Sequence, residues 1–315
     1  MNYKGFGDMR DIIRKNISFL QIKNFDLIVG IPRSGMIPAF IIANYLNKEC
    51  CDLETFINKC QLNNNTKTKT VDVQKVLLVD DSIASGESLA KSLKQIPSNK
   101  HYKVTTLCIY STEKERNDVD LFLEHIPGLG IFEWNILHSF MVKNSCVNME
   151  GVLCEEPTDK QINIKGSYLE YINIAKVVNR PTGKISYIIT ERPEKYRSET
   201  EEWLYNHSIK YDKLIMGING SYELAKVFKK SGKLILFEKN YIKAKKIHSI
   251  TKRAVFCTET NELLYKGFLA SVINGCKHHR NELLNLIRKK LENYPKPFYN
   301  FLRIVYRMVN GAIPR

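Results

Sequence analysis

None of the eight cysteines, at positions 50, 51, 60, 108, 146, 154, 257 and 276, stands in a Cys-x-x-Cys pair or at zinc-like spacing. That pattern gives no support to a redox dithiol or a zinc module. The stretch MNYKGFGDMRDI at the amino end lacks an apolar signal region, and no run approaches the roughly eighteen consecutive apolar residues that a membrane span needs. A reduced, cytoplasmic setting is therefore expected. Acidic side chains are scarce at one end only: residues 222–315 hold 6 Asp and Glu against 20 Lys and Arg, whereas residues 1–221 hold 27 against 28. Almost all of the net charge of +15 thus sits in the final third. Such a segment suits an anionic partner surface, whether a membrane leaflet, a lipid-linked phosphate or nucleic acid; a solvated basic face is the plainer alternative.

The most informative run is Val76-Leu77-Leu78-Val79-Asp80-Asp81-Ser82-Ile83-Ala84-Ser85-Gly86-Glu87-Ser88. Four apolar residues closed by two acids suit a central parallel strand whose carboxyl end carries chemistry. Ala84 to Ser88 then offer backbone amides and two hydroxyls at a helix N-terminus, where orphan N–H groups and the dipole favour a phosphate dianion. Adjacent carboxylates just before that loop can hold vicinal ribose hydroxyls. The run reads as a ribose 5-phosphate cradle. A second apolar strand, Asp26-Leu27-Ile28-Val29-Gly30, leads into Ile31-Pro32-Arg33-Ser34-Gly35, with glycines for close backbone approach and one guanidinium for phosphate oxygens. The apolar stretch from Met36 to Leu46 follows as a helix.

Together these two segments resemble the signature loops of type I phosphoribosyltransferases, which use 5-phosphoribosyl-1-pyrophosphate (PRPP). The resemblance implies that Gly30, Pro32, Arg33, Ser34 and Gly35 hold pyrophosphate, and that Ser82, Ala84, Ser85, Gly86, Glu87 and Ser88 form the 5-phosphate loop. It also implies that Asp80 and Asp81 take the ribose hydroxyls and, through water, Mg²⁺. Asp80, Asp81 and Arg33 are the catalytic candidates. Purine-salvage members carry an Asp where this chain has Ala84, so purine salvage is disfavoured. Glu87 is a further departure, because it sets a carboxylate beside the phosphate loop.

At 315 residues, with roughly 100 to 200 residues per domain, about two domains are expected. Residues 1–143 alternate strand and helix, which predicts a doubly wound parallel sheet. The polar stretch Gln61–Thr70 reads as a loop over the donor, with Lys67 or Lys69 able to approach the pyrophosphate, or as a linker. A second α/β pattern occupies residues 144–262. Its Cys146-Val147-Asn148-Met149-Glu150-Gly151 and its strand ending in Thr190 resemble the first two motifs of the haloacid dehalogenase (HAD) fold. There Asn148 replaces the nucleophilic Asp and Glu150 the acid/base Asp, no lysine aligns with the third motif, and Glu238-Lys239 is a weak fourth. A HAD-like domain without phosphatase activity is expected. Residues 263–315 read as a basic, amphipathic helical tail with apolar stripes at Leu283, Leu284, Ile287 and Leu291 and at Phe298, Phe301, Leu302, Val305 and Val309. His278-His279 reads as surface.

The combined pattern resembles bacterial polysaccharide phosphoribosyl (ribofuranose) transferases. It implies transfer of 5-phosphoribosyl, with loss of pyrophosphate, to a hydroxyl of a lipid-linked glycan at the inner face of the membrane, with Asp81 or Glu133 as candidate base. A nucleobase enzyme of orotate-like type and a PRPP-sensing, nucleic-acid-binding regulator stay open as alternatives, and the sequence leaves open whether the chain forms a homodimer.

Overall fold

The structure is a computed structural model and describes residues 1–58, 73–97, 102–164 and 166–265. The loop expected at 61–70, nearly all of the expected tail and His278-His279 lie outside the described residues. Two compact units divide the chain, Met1–Trp134 and a second beginning at Asn135. Among the described residues no helix is long and apolar enough to cross a membrane.

In the first unit a parallel sheet of five strands has the order β3-β2-β4-β5-β6, formed by β2 (Leu27–Gly30), β3 (Glu49–Asp52), β4 (Lys75–Ile83), β5 (Lys103–Ser111) and β6 (Leu121–His125). A separate parallel pair joins β1 (Asn2–Lys4) to β7 (Gly130–Phe132). The apolar runs of β2 and β4 are continuous because helices and loops cover both faces. Alternate side chains go to opposite faces. On one face Ile28, Leu77, Val79, Leu107 and Ile109 pack with Met9, Ile13 and Leu20 of α1 (Phe6–Ile22) and with Ala39 and Ile42 of α2 (Met36–Leu46). On the other, Leu27, Val29, Val76, Leu78 and Cys108 pack with Leu53, Phe56 and Leu89, the last on α3 (Glu87–Gln95). Each fully buried aliphatic side chain contributes about 2 kcal/mol.

The order places the site. β2 comes first of the five, with β3 on one side and β4 on the other, so connections depart in opposite directions from the carboxyl ends of β2 and β4. Ligands of open parallel sheets bind in that crevice. One boundary differs from the sequence reading. Strand β4 does not stop at Asp80 but runs to Ile83, because the ladder to β5 continues through Ser82–Tyr110 and Ile83–Ser111.

The second unit has its own sheet, in the order β10-β9-β8-β11-β12-β13. Strands β8 (Ser145–Asn148), β9 (Ile185–Ile189), β10 (Tyr211–Ile215), β11 (Ile235–Glu238) and β12 (Ala254–Cys257) are parallel; β13 (Glu262–Leu264) closes the edge antiparallel. Phe228 and Leu224 of α7 (Gly220–Ser231) and Ile247 of α8 (Tyr241–Thr251) fill its core against Cys146, Ile189, Leu236 and Val255. The shorter helices α4 (Asp159–Asn163), α5 (Ser167–Ile174) and α6 (Arg197–Asn206) lie between β8 and β10 in the chain. Again the first strand, β8, lies between β9 and β11.

Candidate active site

The loop after β2 is drawn onto β4 by backbone and side chain alike. Ile31 N–H donates to Val79 O at 2.9 Å. Gly35 lies so close to the end of β4 that a Cβ there would stand 2.6 Å from both Ile31 O and Val79 O. Gly30 is equally constrained, since its Cβ would meet Met36 Sδ at 2.5 Å and Met36 Cα at 2.9 Å. Glycine at both positions is thus required by space. Pro32 and Arg33, joined by a cis peptide bond, are exposed at the tip.

Ser34 reaches the acidic pair. Its Oγ donates to Asp81 Oδ1 at 2.9 Å, while the other oxygen of Asp81 accepts from Trp134 Nε1 at 2.6 Å. Asp80 accepts the Asp81 N–H through Oδ1 at 2.9 Å. Both acids are buried, at 7% and 4% exposure. Burial first, and the neighbouring charge of Asp81 second, push the Asp80 carboxyl up to about 8. Two adjacent carboxylates short of counter-charge fit a divalent cation. Among the described residues no group of three or more His, Cys, Asp or Glu is placed to hold a metal ion; Asp80 and Asp81 are the side chains of this site that could hold one together with water or substrate oxygens.

Beyond the pair, Ser82 is half-buried, and Ala84, Ser85, Glu87 and Ser88 are exposed around the start of α3. Gly86 caps that helix at φ +78°, a conformation that glycine adopts freely. The Glu87 side chain is exposed to solvent in the first turn. Arg116 braces this loop from below: Nη1 donates to Ala84 O at 2.7 Å, and Nε and Nη2 grip Asp118 at 2.7 and 2.6 Å. Only 4% of its side chain is exposed. A Cβ on Gly86 would lie 2.1 Å from Asp118 Oδ2.

The structure therefore brings together Gly30, Ser34, Gly35, Asp80 and Asp81, and sets Ser85, Gly86 and Ser88 on the next turn of chain. Glu133 has another task. Its Oε2 accepts the Phe6 N–H at 2.9 Å and so caps α1, where a carboxylate complements the helix dipole. Trp134, Arg116 and Asp118 were missed by sequence reasoning. The only local signal was the charged run Glu113–Asp118 just past a strand end, where open sheets place function.

In the second unit Glu150 and Thr190 meet, whereas Asn148 is bonded to Glu238 instead. Thr190 Oγ1 lies 2.7 and 2.9 Å from the two Glu150 oxygens, and Arg192 Nε lies 3.0 Å from Oε1. Asn148 Nδ2 donates to Glu238 Oε2 at 3.0 Å. Burial raises both glutamic acids above their ordinary range. Lys226, in contrast, is exposed and paired with Glu223 at 2.9 Å, and Lys239 pairs with Glu156 at 2.8 Å.

No curated protein matches this chain. Among solved structures, the purine phosphoribosyltransferase of Pyrococcus horikoshii is 16% identical over 42% of this chain and 92% of its own, with a TM-score of 0.32. The xanthine-guanine-hypoxanthine phosphoribosyltransferase of Helicobacter pylori is 16% identical over 43% of this chain and 92% of its own, with a TM-score of 0.34. Residues 6–126 match the family model of the phosphoribosyl transferase domain, and the first unit accordingly carries a phosphoribosyltransferase-type domain.

Proposed function

We propose that the first unit moves the 5-phosphoribosyl group of PRPP onto a hydroxyl of a glycan. The observation that carries this reading is the Ser34–Asp81 hydrogen bond of 2.9 Å, which ties the loop after β2 to the acidic pair of β4 within a matching domain. In this reading the loop from Gly30 to Gly35, with Arg33, takes the pyrophosphate. Amides and hydroxyls from Ser85 to Ser88 take the 5-phosphate, with Arg116 fixing their loop through Ala84 O. Asp80 and Asp81 take the ribose hydroxyls. Mg²⁺, when bound, neutralises the charge that accumulates on pyrophosphate. The bond from C1 to the pyrophosphate oxygen breaks, the acceptor oxygen bonds to C1 from the opposite side, and the hydroxyl proton leaves to solvent or a base. Binding energy at the distant phosphate positions C1 for that attack.

Position 84 directs the choice of acceptor. Its methyl group accepts no proton from a nucleobase, and its carbonyl is engaged by Arg116. A nucleophilic hydroxyl does not need that contact. The basic carboxyl-terminal third, with 20 Lys and Arg against 6 acids, favours a lipid-linked glycan at the inner, anionic face of a membrane. The second unit we read as HAD-like and without phosphatase activity. Asn148 has no carboxylate with which to attack phosphorus, and its amide is spent on Glu238. The test is pyrophosphate release from PRPP with Mg²⁺ against a panel of glycan acceptors, orotate and purines. Release with glycans alone supports the reading, release with orotate or a purine assigns the domain to nucleobases, and salt-dependent nucleic-acid binding without turnover replaces catalysis with regulation.

A further inference from the structure

The second unit carries a face of lysines that its carboxylates leave largely unbalanced. Residues 222–253 hold nine Lys and one Arg against Glu223 and Glu238, and Glu238 is buried. α7 and α8 pack side by side on one face of the sheet. Leu224, Ala225 and Phe228 of the first and Ala244 and Ile247 of the second turn to the core. The opposite stripes carry Tyr222, Lys226, Lys229 and Lys230 on α7 and Ile242, Lys245 and Lys246 on α8, all exposed. Lys226 is paired with Glu223. Lys229, Lys230, Lys245 and Lys246 have no ion-pair partner among the described residues. Glu259 is engaged at the start of α8, where it accepts the Tyr241 N–H at 3.2 Å. Each helix returns from the carboxyl end of one parallel strand to the amino end of the next, so both begin at the same end of the unit. Tyr222, 58% exposed, and Ile242, 77% exposed, both lie at that end, with the lysines behind them.

We propose that the outer face of α7 and α8 docks on an anionic lipid bilayer, with Tyr222 and Ile242 entering the headgroup boundary and the lysines meeting the charged headgroups. Unpaired like charges on adjacent helices repel one another in water, and a negative leaflet relieves that repulsion. Exposed apolar side chains set among lysines are the pattern of an amphipathic element that lies on a membrane surface. Two features favour lipid over nucleic acid. The exposed cations of the face are lysines, flexible point charges without the guanidinium fork that pairs with phosphate oxygens or base edges. The one arginine of the stretch turns inward, where Arg253 Nη1 donates to Phe228 O and to Lys233 O at 3.3 Å each. The proposal deepens the membrane setting inferred above by naming a surface that meets the leaflet, separate from residues 276–315. It does not involve the transfer site of the first unit.

Full-length protein is sedimented at about 0.1 M salt with phosphatidylcholine vesicles, with and without about 30% phosphatidylserine. The parent should partition onto the anionic vesicles only. Together, Lys229→Gln, Lys230→Gln, Lys245→Gln and Lys246→Gln should weaken partitioning by at least about thirtyfold, since each cation near the leaflet contributes about fivefold. As a control, Lys160→Gln, Lys176→Gln, Lys195→Gln and Lys210→Gln remove the same charge from exposed positions elsewhere in the unit and should cost less than about threefold. Ile242→Ser leaves the charge unchanged and should cost about fivefold. The lysine pairs of α7 and α8 are also replaced separately, and melting midpoints are read throughout, so that one misfolded combination does not hide the effect. Pyrophosphate release with a soluble acceptor should be unchanged in every variant, which tells a failed docking surface from a failed transfer reading. No partitioning by the parent overturns the proposal, as does an α7–α8 variant that loses no more than the control. So does an unchanged Ile242→Ser protein whose lysine face binds a single-stranded oligonucleotide, which assigns that face to nucleic acid.

Discussion

Asp80→Asn should make the protein more stable and nearly inactive. The carboxyl at this position is buried beside Asp81, and its affinity for a proton rises from the ordinary 3.8 to about 8. At neutral pH the unfolded chain has released that proton and the folded chain has kept it. Each pH unit between the ordinary value and the working pH then costs folding about 1.4 kcal/mol, which sets a ceiling of about 4 kcal/mol at pH 7. Because Asp81 shares the burden, about half of that, roughly 2 kcal/mol, is expected back when the charge is removed. Asn keeps the Oδ1 acceptor for the Asp81 N–H, so no hydrogen bond is lost. For a unit of this size the gain corresponds to a midpoint about 6 °C higher. The sign fixes the pH dependence: an acid whose folded value is raised loses stability as pH climbs from about 4 to about 8, so the advantage of Asn is absent near pH 4 and full near pH 8. Thermal unfolding of both proteins across that range, without Mg²⁺ or PRPP, measures it. Equal midpoints at pH 8, or an advantage that does not grow with pH, would refute the reasoning. In the same variant, pyrophosphate release should fall by at least about a hundredfold, since Asn cannot release a proton to become the carboxylate that bound Mg²⁺ and the reacting sugar would draw out.

Gly35→Ala should lower PRPP affinity by more than about tenfold, since its Cβ would stand 2.6 Å from two carbonyl oxygens and displace the loop from β4; calorimetry on folded variant decides. Arg192→Leu strands the Glu150 carboxylate, and the Trp203 unfolding transition should lose about 3–5 kcal/mol. Residues 276–315 carry nine Lys and Arg against Glu282 and Glu292. With about 1 kcal/mol per basic group near an anionic leaflet, their deletion should abolish sedimentation with anionic liposomes and spare turnover of a short soluble acceptor.

The strands that position both sites were legible because each is a short, fully buried apolar run. Leu27–Gly30 and the Val76–Val79 stretch are closed by a glycine loop and by two acids. β1 was not legible: Asn2–Lys4 has no apolar signature and becomes a strand only through its register with Gly130–Phe132, far along the chain. The site divides in the same way. Acids, glycines and hydroxyls that are contiguous in sequence were visible, whereas the Trp134–Asp81 and Arg116–Ala84 contacts span 53 and 32 residues and follow from the fold alone. Arg192 stands two residues after Thr190 in a Glu-Arg-Pro loop, a setting that reads as surface. Its complete burial results from Tyr171, Trp203 and Glu150 closing around it.

The central claim is that the loop after β2 and the acidic pair of β4 form one PRPP site. Isothermal titration of PRPP with Mg²⁺ into the full chain and into a protein carrying both Asp80→Asn and Asp81→Asn tests it most directly. One saturable site per chain, weakened at least about tenfold in the double variant, is the predicted result. No saturable binding by the unmodified chain, or equal binding by both proteins, would contradict it.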